Sequence, residues 1–162
     1  MRFADITTCD IANGTKLGVV LWCQGCSLNC PGCQNKCTHA SAEGEEFTKK
    51  EEDLIISELH KPHITRLTLS GGHPLETYNI EACTNLCKRV KDEISDTEIW
   101  CYTGYLWEDV KDLEIMKYID VLVDGPYVEK LRDITLPWRG SSNQRLIDVP
   151  ASLKCNKTII YE

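Results

Sequence analysis

From Gly25 to Asn35 the chain reads Gly-Cys-Ser-Leu-Asn-Cys-Pro-Gly-Cys-Gln-Asn, which sets Cys26, Cys30 and Cys33 in a Cys-x3-Cys-x2-Cys arrangement. Spacers of three and two residues let three thiols converge on one side of a single turn. Thiolates at short range repel, so such a turn normally surrounds a metal. Soft sulfur ligands select zinc, Cu(I) or iron–sulfur clusters. A structural zinc takes four protein ligands in a closed tetrahedron, whereas three ligands leave a position open for chemistry. Cys23, Cys26, Cys30, Cys33 and Cys37 also offer enough thiols for a four-cysteine zinc site, through the pairs Cys23/Cys26 and Cys30/Cys33. Only three residues separate those pairs. Zinc fingers and ribbons use roughly twelve to twenty, and this weighs against zinc.

A chain of 162 residues suits one domain, 1–162. The net charge of −7 shows no basic face, so direct recognition of nucleic acid is not expected. No run approaches the roughly 18–20 apolar residues of a membrane span. The stretch from Met1 to Asn13 has no signal-peptide core. The ten cysteines are therefore expected in a reducing cytoplasm, where metal or redox use is commoner than disulfides. Cys83, Cys87, Cys101 and Cys155 fall in expected helices or strands and read as small buried hydrophobes.

The N-terminal segment is short and polar, with a turn at Asn13-Gly14. Leu17–Trp22 is mostly apolar, reads as a buried strand and runs directly into the cysteine loop. Ser41–Glu46 reads as a polar connection. Thr48 and Glu51 form a capping box ahead of a helix over 48–60, which His60, Pro62 and His63 end. Neither histidine is assigned a metal. Ile64–Ser70 alternates as a strand and ends in Gly71-Gly72-His73, where paired glycines permit close backbone approach to a ligand.

Further along, helices are expected over 77–94 and 106–118, and strands over 98–103, 119–124 and 146–149. An edge strand is expected near 157–161. Trp138 to Arg145 is a polar loop whose two arginines suit a carboxylate, a ribose or a partner chain, or simply solvent. Alternating strands and helices predict βαβ units and a parallel sheet, with the site at the strand C-termini.

The cysteine spacing resembles that of the radical S-adenosylmethionine family. The wider chain resembles one branch of it, the activating proteins of anaerobic ribonucleoside-triphosphate reductase. The matching stretches are Asp10–Gly14, Gly25-Cys26, Cys30–Asn35, Leu69–Gly72, Thr103–Tyr105, Val123–Gly125 and Trp138–Gln144. The chain departs from that family's usual residues at Gly18 (arginine), Leu28 (histidine), Gln34 (an aromatic), His39 (tryptophan) and His73 (aspartate).

The resemblance implies an α/β fold, a truncated TIM-like barrel of βα units. It implies that Cys26, Cys30 and Cys33 hold a [4Fe-4S] cluster. Gly32, Cys33 and Gln34 would line the nucleoside end of bound S-adenosylmethionine and Gly71, Gly72 and His73 its methionine end, with Tyr102 at the mouth of the third strand. The implied partners are the reductase large subunit and reduced flavodoxin or a similar electron donor. An activase of another glycyl-radical enzyme, such as pyruvate formate-lyase, is one alternative. A non-catalytic zinc-binding interaction module is another.

Overall fold

The computed structural model describes residues 1–162. Its strands are β1 (Arg2–Asp10), β2 (Gly18–Cys23), β3 (Glu45–Glu46), β4 (Arg66–Gly71), β5 (Glu98–Tyr102), β6 (Val121–Asp124) and β7 (Arg145–Asp148). Its helices are α1 (Lys49–Leu59), α2 (Ile80–Glu93), α3 (Trp107–Val110) and α4 (Val149–Cys155). All seven strands form one sheet in the order β3-β1-β2-β4-β5-β6-β7.

The four central strands β2, β4, β5 and β6 are parallel, as the strand–helix alternation predicts. The edges correct the expectation of a parallel sheet. β1 pairs antiparallel with β2, β3 with β1, and β7 with β6. No crossover helix lies between β1 and β2 or between β6 and β7, so these neighbours run in opposite directions. The result is an open, mixed α/β sheet and not a closed barrel.

The two sheet faces differ in chemistry. Val19, Leu21, Cys23, Leu67, Leu69, Ile99, Cys101 and Leu122 point to one face and pack with Ile55, Ile56 and Leu59 of α1 and Cys83, Leu86, Cys87 and Val90 of α2. The other face carries Trp100, Val121, Val123 and Leu146, packed with Tyr102, Trp138 and Tyr161. It also carries the buried polar residues Arg66, Thr68 and Ser70. Loops cover this second face, so polar side chains there meet backbone carbonyls and hydroxyls rather than helix side chains.

Arg66 is fully buried on that face. Its guanidinium donates to the carbonyls of Asp10, Thr15 and Lys16 at 3.1, 3.1 and 3.2 Å and pairs with the Asp10 carboxylate. One side chain thereby fixes the whole β1–β2 connection.

Several elements differ from the sequence expectation. β1 is a nine-residue strand in which only Phe3 is buried, so its polar composition hid it. It exists through pairing with β2, helped by the Trp22 indole N–H donating to Thr7 Oγ1 at 2.9 Å. The stretch Ser41–Glu46 likewise contributes β3.

The helix expected over 106–118 is broken into α3 and a 3-10 turn at Glu114–Lys117. Trp107 and Met116 are both buried, yet a continuous helix at 3.6 residues per turn would put them on opposite sides. α4, which no periodicity announced, is capped by Asp148, whose carboxylate accepts the Ala151 N–H at 2.9 Å. The expected last edge strand is reduced to a single bridge between Ile147 and Ile160. Cys83, Cys87 and Cys101 are buried as expected, but Cys155 at the end of α4 is exposed.

Candidate metal centre

β2 and β4 are adjacent and parallel, with Cys23 opposite Gly71, so the cysteine loop leaves β2 beside the end of β4. The loop is laced to that strand end by backbone hydrogen bonds. Gly72 N–H donates to Cys23 O at 2.7 Å, His73 N–H to Gly25 O at 2.8 Å and Gly25 N–H to Thr38 O at 2.7 Å. The Asn35 side-chain amide donates to Gly71 O at 3.2 Å.

Gly71 adopts φ of 96°, and a Cβ on Gly72 would lie 2.4 Å from Gly25 O and 2.7 Å from Thr38 O. Both contacts are with backbone, which cannot swing aside. Gly72→Ala is therefore expected to cost about 1–3 kcal/mol through overpacking. A thermal scan without metal checks this, and a midpoint unchanged from wild type would refute it.

Cys26, Cys30 and Cys33 are free thiols, each half-buried on this loop. Burial pushes the Cys26 thiol up, while backbone N–H groups of Leu28 and Asn29 directed at its sulfur pull the other way by favouring the thiolate. Cys33 N–H donates to Cys30 O at 3.2 Å, which tightens the turn.

Cys23 behaves differently. It is fully buried on the helix face of the sheet, with its sulfur 3.8 Å from that of Cys83. It cannot join Cys26 in a four-cysteine site. Cys37 is exposed on the short 3-10 turn over Lys36–Thr38.

No group of three His, Cys, Asp or Glu side chains is preassembled as a metal cage. What the fold supplies is the loop and its donor set. That set of three accessible thiols, one already approached by backbone N–H donors, fits an iron–sulfur cluster with one iron left open.

A cleft of about 370 Å³ lies beside the loop, within the size range of small-molecule sites. Its floor is formed by Trp22, Ser70 and Tyr102 near the C-terminal ends of the parallel strands, and Cys33, Gln34 and Asn35 form one wall. Asn13, Tyr127, Leu136, Trp138, Arg139 and Gln144 help to form the rest. Arg139 is the one charged side chain in the lining. Its Nη1 donates to Gln144 O at 3.0 Å, while its buried Nε has no partner. The other arginine of that loop is committed elsewhere: Arg145 pairs with Asp124 and Glu108. Burial pushes the Tyr102 phenol above its usual range, so it stays protonated.

The residues singled out from sequence thus fall into two groups. Cys33, Gln34 and Tyr102 line the cleft. Gly71 and Gly72 brace the loop backbone, and Gly32 abuts the Glu129 carboxylate.

His73 is buried beneath the loop. Its Nε2 lies 2.7 Å from Thr103 Oγ1 and its Nδ1 lies 3.4 Å from Glu76 Oε1. Burial lowers its basicity, against the opposing pull of Glu76. Glu76 itself had no sequence signal beyond standing three residues after His73. Arg139 had one, since it lies in the Trp138–Gln144 stretch.

Three half-buried thiols on one loop beside a cleft are a donor set suited to a single iron–sulfur cluster. A family model described as "4Fe-4S single cluster domain" matches residues 12–147. Among similar proteins, one from Enterobacteria phage T4 is 43% identical over 146 residues, covering 90% of this chain and 93% of its own. One from Escherichia coli K12 is 39% identical and one from Vibrio cholerae serotype O1 38% identical. Each aligns over 148 residues and covers 89% of this chain and 96% of its own. All three carry the name anaerobic ribonucleoside-triphosphate reductase-activating protein. The chain belongs to that family.

Proposed function

We propose that this chain is the activase of an anaerobic ribonucleoside-triphosphate reductase. In this reading it cleaves S-adenosylmethionine reductively to a 5′-deoxyadenosyl radical and so installs a glycyl radical on the reductase large subunit. The observation that carries the reading is the Cys26–Cys33 loop, placed at the C-terminal ends of the parallel strands and opening on the cleft. The names of the relatives support the choice of reductase over another glycyl-radical enzyme.

Cys26, Cys30 and Cys33 would hold the [4Fe-4S] cluster. When bound and reduced by flavodoxin or a similar donor, that cluster supplies the one electron that breaks the S–C5′ bond. The chain's own residues bind and shield. Gln34 and Tyr102 offer polar contacts in the cleft, Gly71 and Gly72 bring backbone close to the loop, and Arg139 offers a guanidinium to the carboxylate of an amino-acid moiety. Trp22, Trp138 and Tyr127 add aromatic surface to the lining and would shield part of a bound molecule from solvent. The open sheet would be a truncated barrel, and the face covered by loops rather than helices would be where the large partner docks. The proposed place of work is the cytoplasm; no helix is long and apolar enough to cross a membrane.

The test is anaerobic iron and zinc analysis with a visible spectrum, before and after dithionite and S-adenosylmethionine. About four irons per chain, a brown band bleached by reduction, and release of 5′-deoxyadenosine are expected. One zinc per chain, no colour and no cleavage would overturn the reading.

A further inference from the structure

We propose that Glu76 is a positioning residue for the metal loop: its carboxylate holds Ser27, and with it Cys26, against the ends of β4 and β5. This rests on the reading of Cys26, Cys30 and Cys33 as cluster ligands.

Glu76 is 6% exposed, and its one ionic partner is His73. A carboxylate buried without lysine or arginine must be satisfied by hydrogen-bond donors. Here the close donors come from the metal loop. Glu76 Oε1 accepts the Ser27 backbone N–H at 2.8 Å and the Ser27 hydroxyl at 2.6 Å. The same oxygen faces His73 Nδ1, and His73 Nε2 meets Thr103 Oγ1 just beyond β5. Thr103 Oγ1 in turn accepts the Tyr105 N–H at 3.1 Å, and the Tyr105 ring stands edge-on to His73 with centroids 4.4 Å apart. A continuous set of contacts therefore runs from the residue after Cys26 to the ends of two parallel strands.

Charge-assisted hydrogen bonds to a backbone N–H fix a loop more firmly than neutral ones. Shifting Ser27 moves the Cys26 sulfur directly, since the two residues share a peptide. Residues that orient a metal ligand without touching the metal commonly change its affinity by about 10–100-fold when removed. This chain carries His73 at the end of the glycine pair, and the acid nearest that position, Glu76, is turned toward the loop rather than the cleft.

The experiment compares wild type, Glu76→Leu, Glu76→Gln and Ser27→Ala after anaerobic iron reconstitution. A strong iron chelator is added, bleaching of the visible band is timed, and the EPR spectrum of the reduced protein is recorded. Glu76→Leu is expected to bleach at least about tenfold faster than wild type, with an altered EPR line shape. Glu76→Gln, which keeps an acceptor for Ser27 but loses the charge, is expected to bleach faster than wild type and clearly slower than Glu76→Leu. Ser27→Ala, which keeps only the backbone donor, is expected to fall between wild type and Glu76→Leu as well.

Wild-type bleaching and line shape in Glu76→Leu would overturn the proposal, as would Glu76→Gln bleaching as fast as Glu76→Leu. If Glu76→Leu does not fold, Ser27→Ala bleaching at the wild-type rate overturns it. Failure of the wild type to take up iron would overturn the cluster reading instead.

Discussion

Cys26→Ala is expected to abolish iron binding and with it any cleavage of S-adenosylmethionine, while Cys101→Ala keeps both. The two cysteines sit in different chemistry. Cys26 is half-buried on a loop bordering the cleft, with backbone N–H groups aimed at its sulfur. Cys101 is fully buried on the helix face among Cys83, Cys87 and aliphatic side chains, and burial pushes its thiol well above the usual range. A thiol held neutral in a core is a poor ligand. A site with three protein ligands that loses one retains too few to hold a cluster. For Cys101→Ala the expected change is a small cavity and about 1 kcal/mol of stability. Iron per chain, measured after identical reconstitution, separates the two. Full iron in Cys26→Ala would refute the assignment of the loop.

Arg66→Met is expected to be the most destabilising single change away from the metal loop. Arg66 has no exposed surface and anchors three carbonyls and the Asp10 carboxylate. Removing one partner of a buried pair typically costs about 3–5 kcal/mol; the Asp10 carboxylate keeps the Ala12 and Asn13 donors, which places the expected loss near the lower end. In a chain of this size that lowers the thermal midpoint by about 10 °C. The double variant Arg66→Met with Asp10→Leu removes both charges and is expected to recover part of the loss, which a double-mutant cycle measures. A single variant within a degree of wild type would show that the β1–β2 connection does not depend on this contact.

The same arginine constrains the neighbouring strand. Gly18 is the register partner of Arg66. A Cβ on Gly18 would lie 2.6 Å from Arg66 Nε and 2.7 Å from Arg66 O. The guanidinium reaches the β1–β2 connection from β4, and the glycine leaves it room.

The cysteine loop, the glycine pair and the four central strands were legible in the sequence. Each depends on local rules: ligand spacing, backbone permissiveness and short apolar or alternating runs. α1 was legible for the same reason, since its capping box is local: Thr48 N–H donates to Glu51 Oε2 at 2.9 Å. What was missed depends on partners far along the chain. β1 buries one residue of nine and is a strand because β2 lies beside it. The break after α3 follows from which side chains the core accepts, not from helix propensity.

The sequence by itself singled out Cys26, Cys30 and Cys33 as the proposed donor set, because ligand type and spacing lie within eight consecutive residues. Only the tertiary structure showed where the neighbouring Cys23 goes. Cys23 is three residues from Cys26, yet strand alternation turns it into the core against Cys83, sixty residues away. Only the tertiary structure, too, brought Glu76 to Ser27 and Arg139 to the cleft. Those contacts join residues 49 apart in the first case and, in the second, a loop beyond β6 with the end of β4. No periodicity carries such information, because it arises from the order in which the parallel strands are laid side by side.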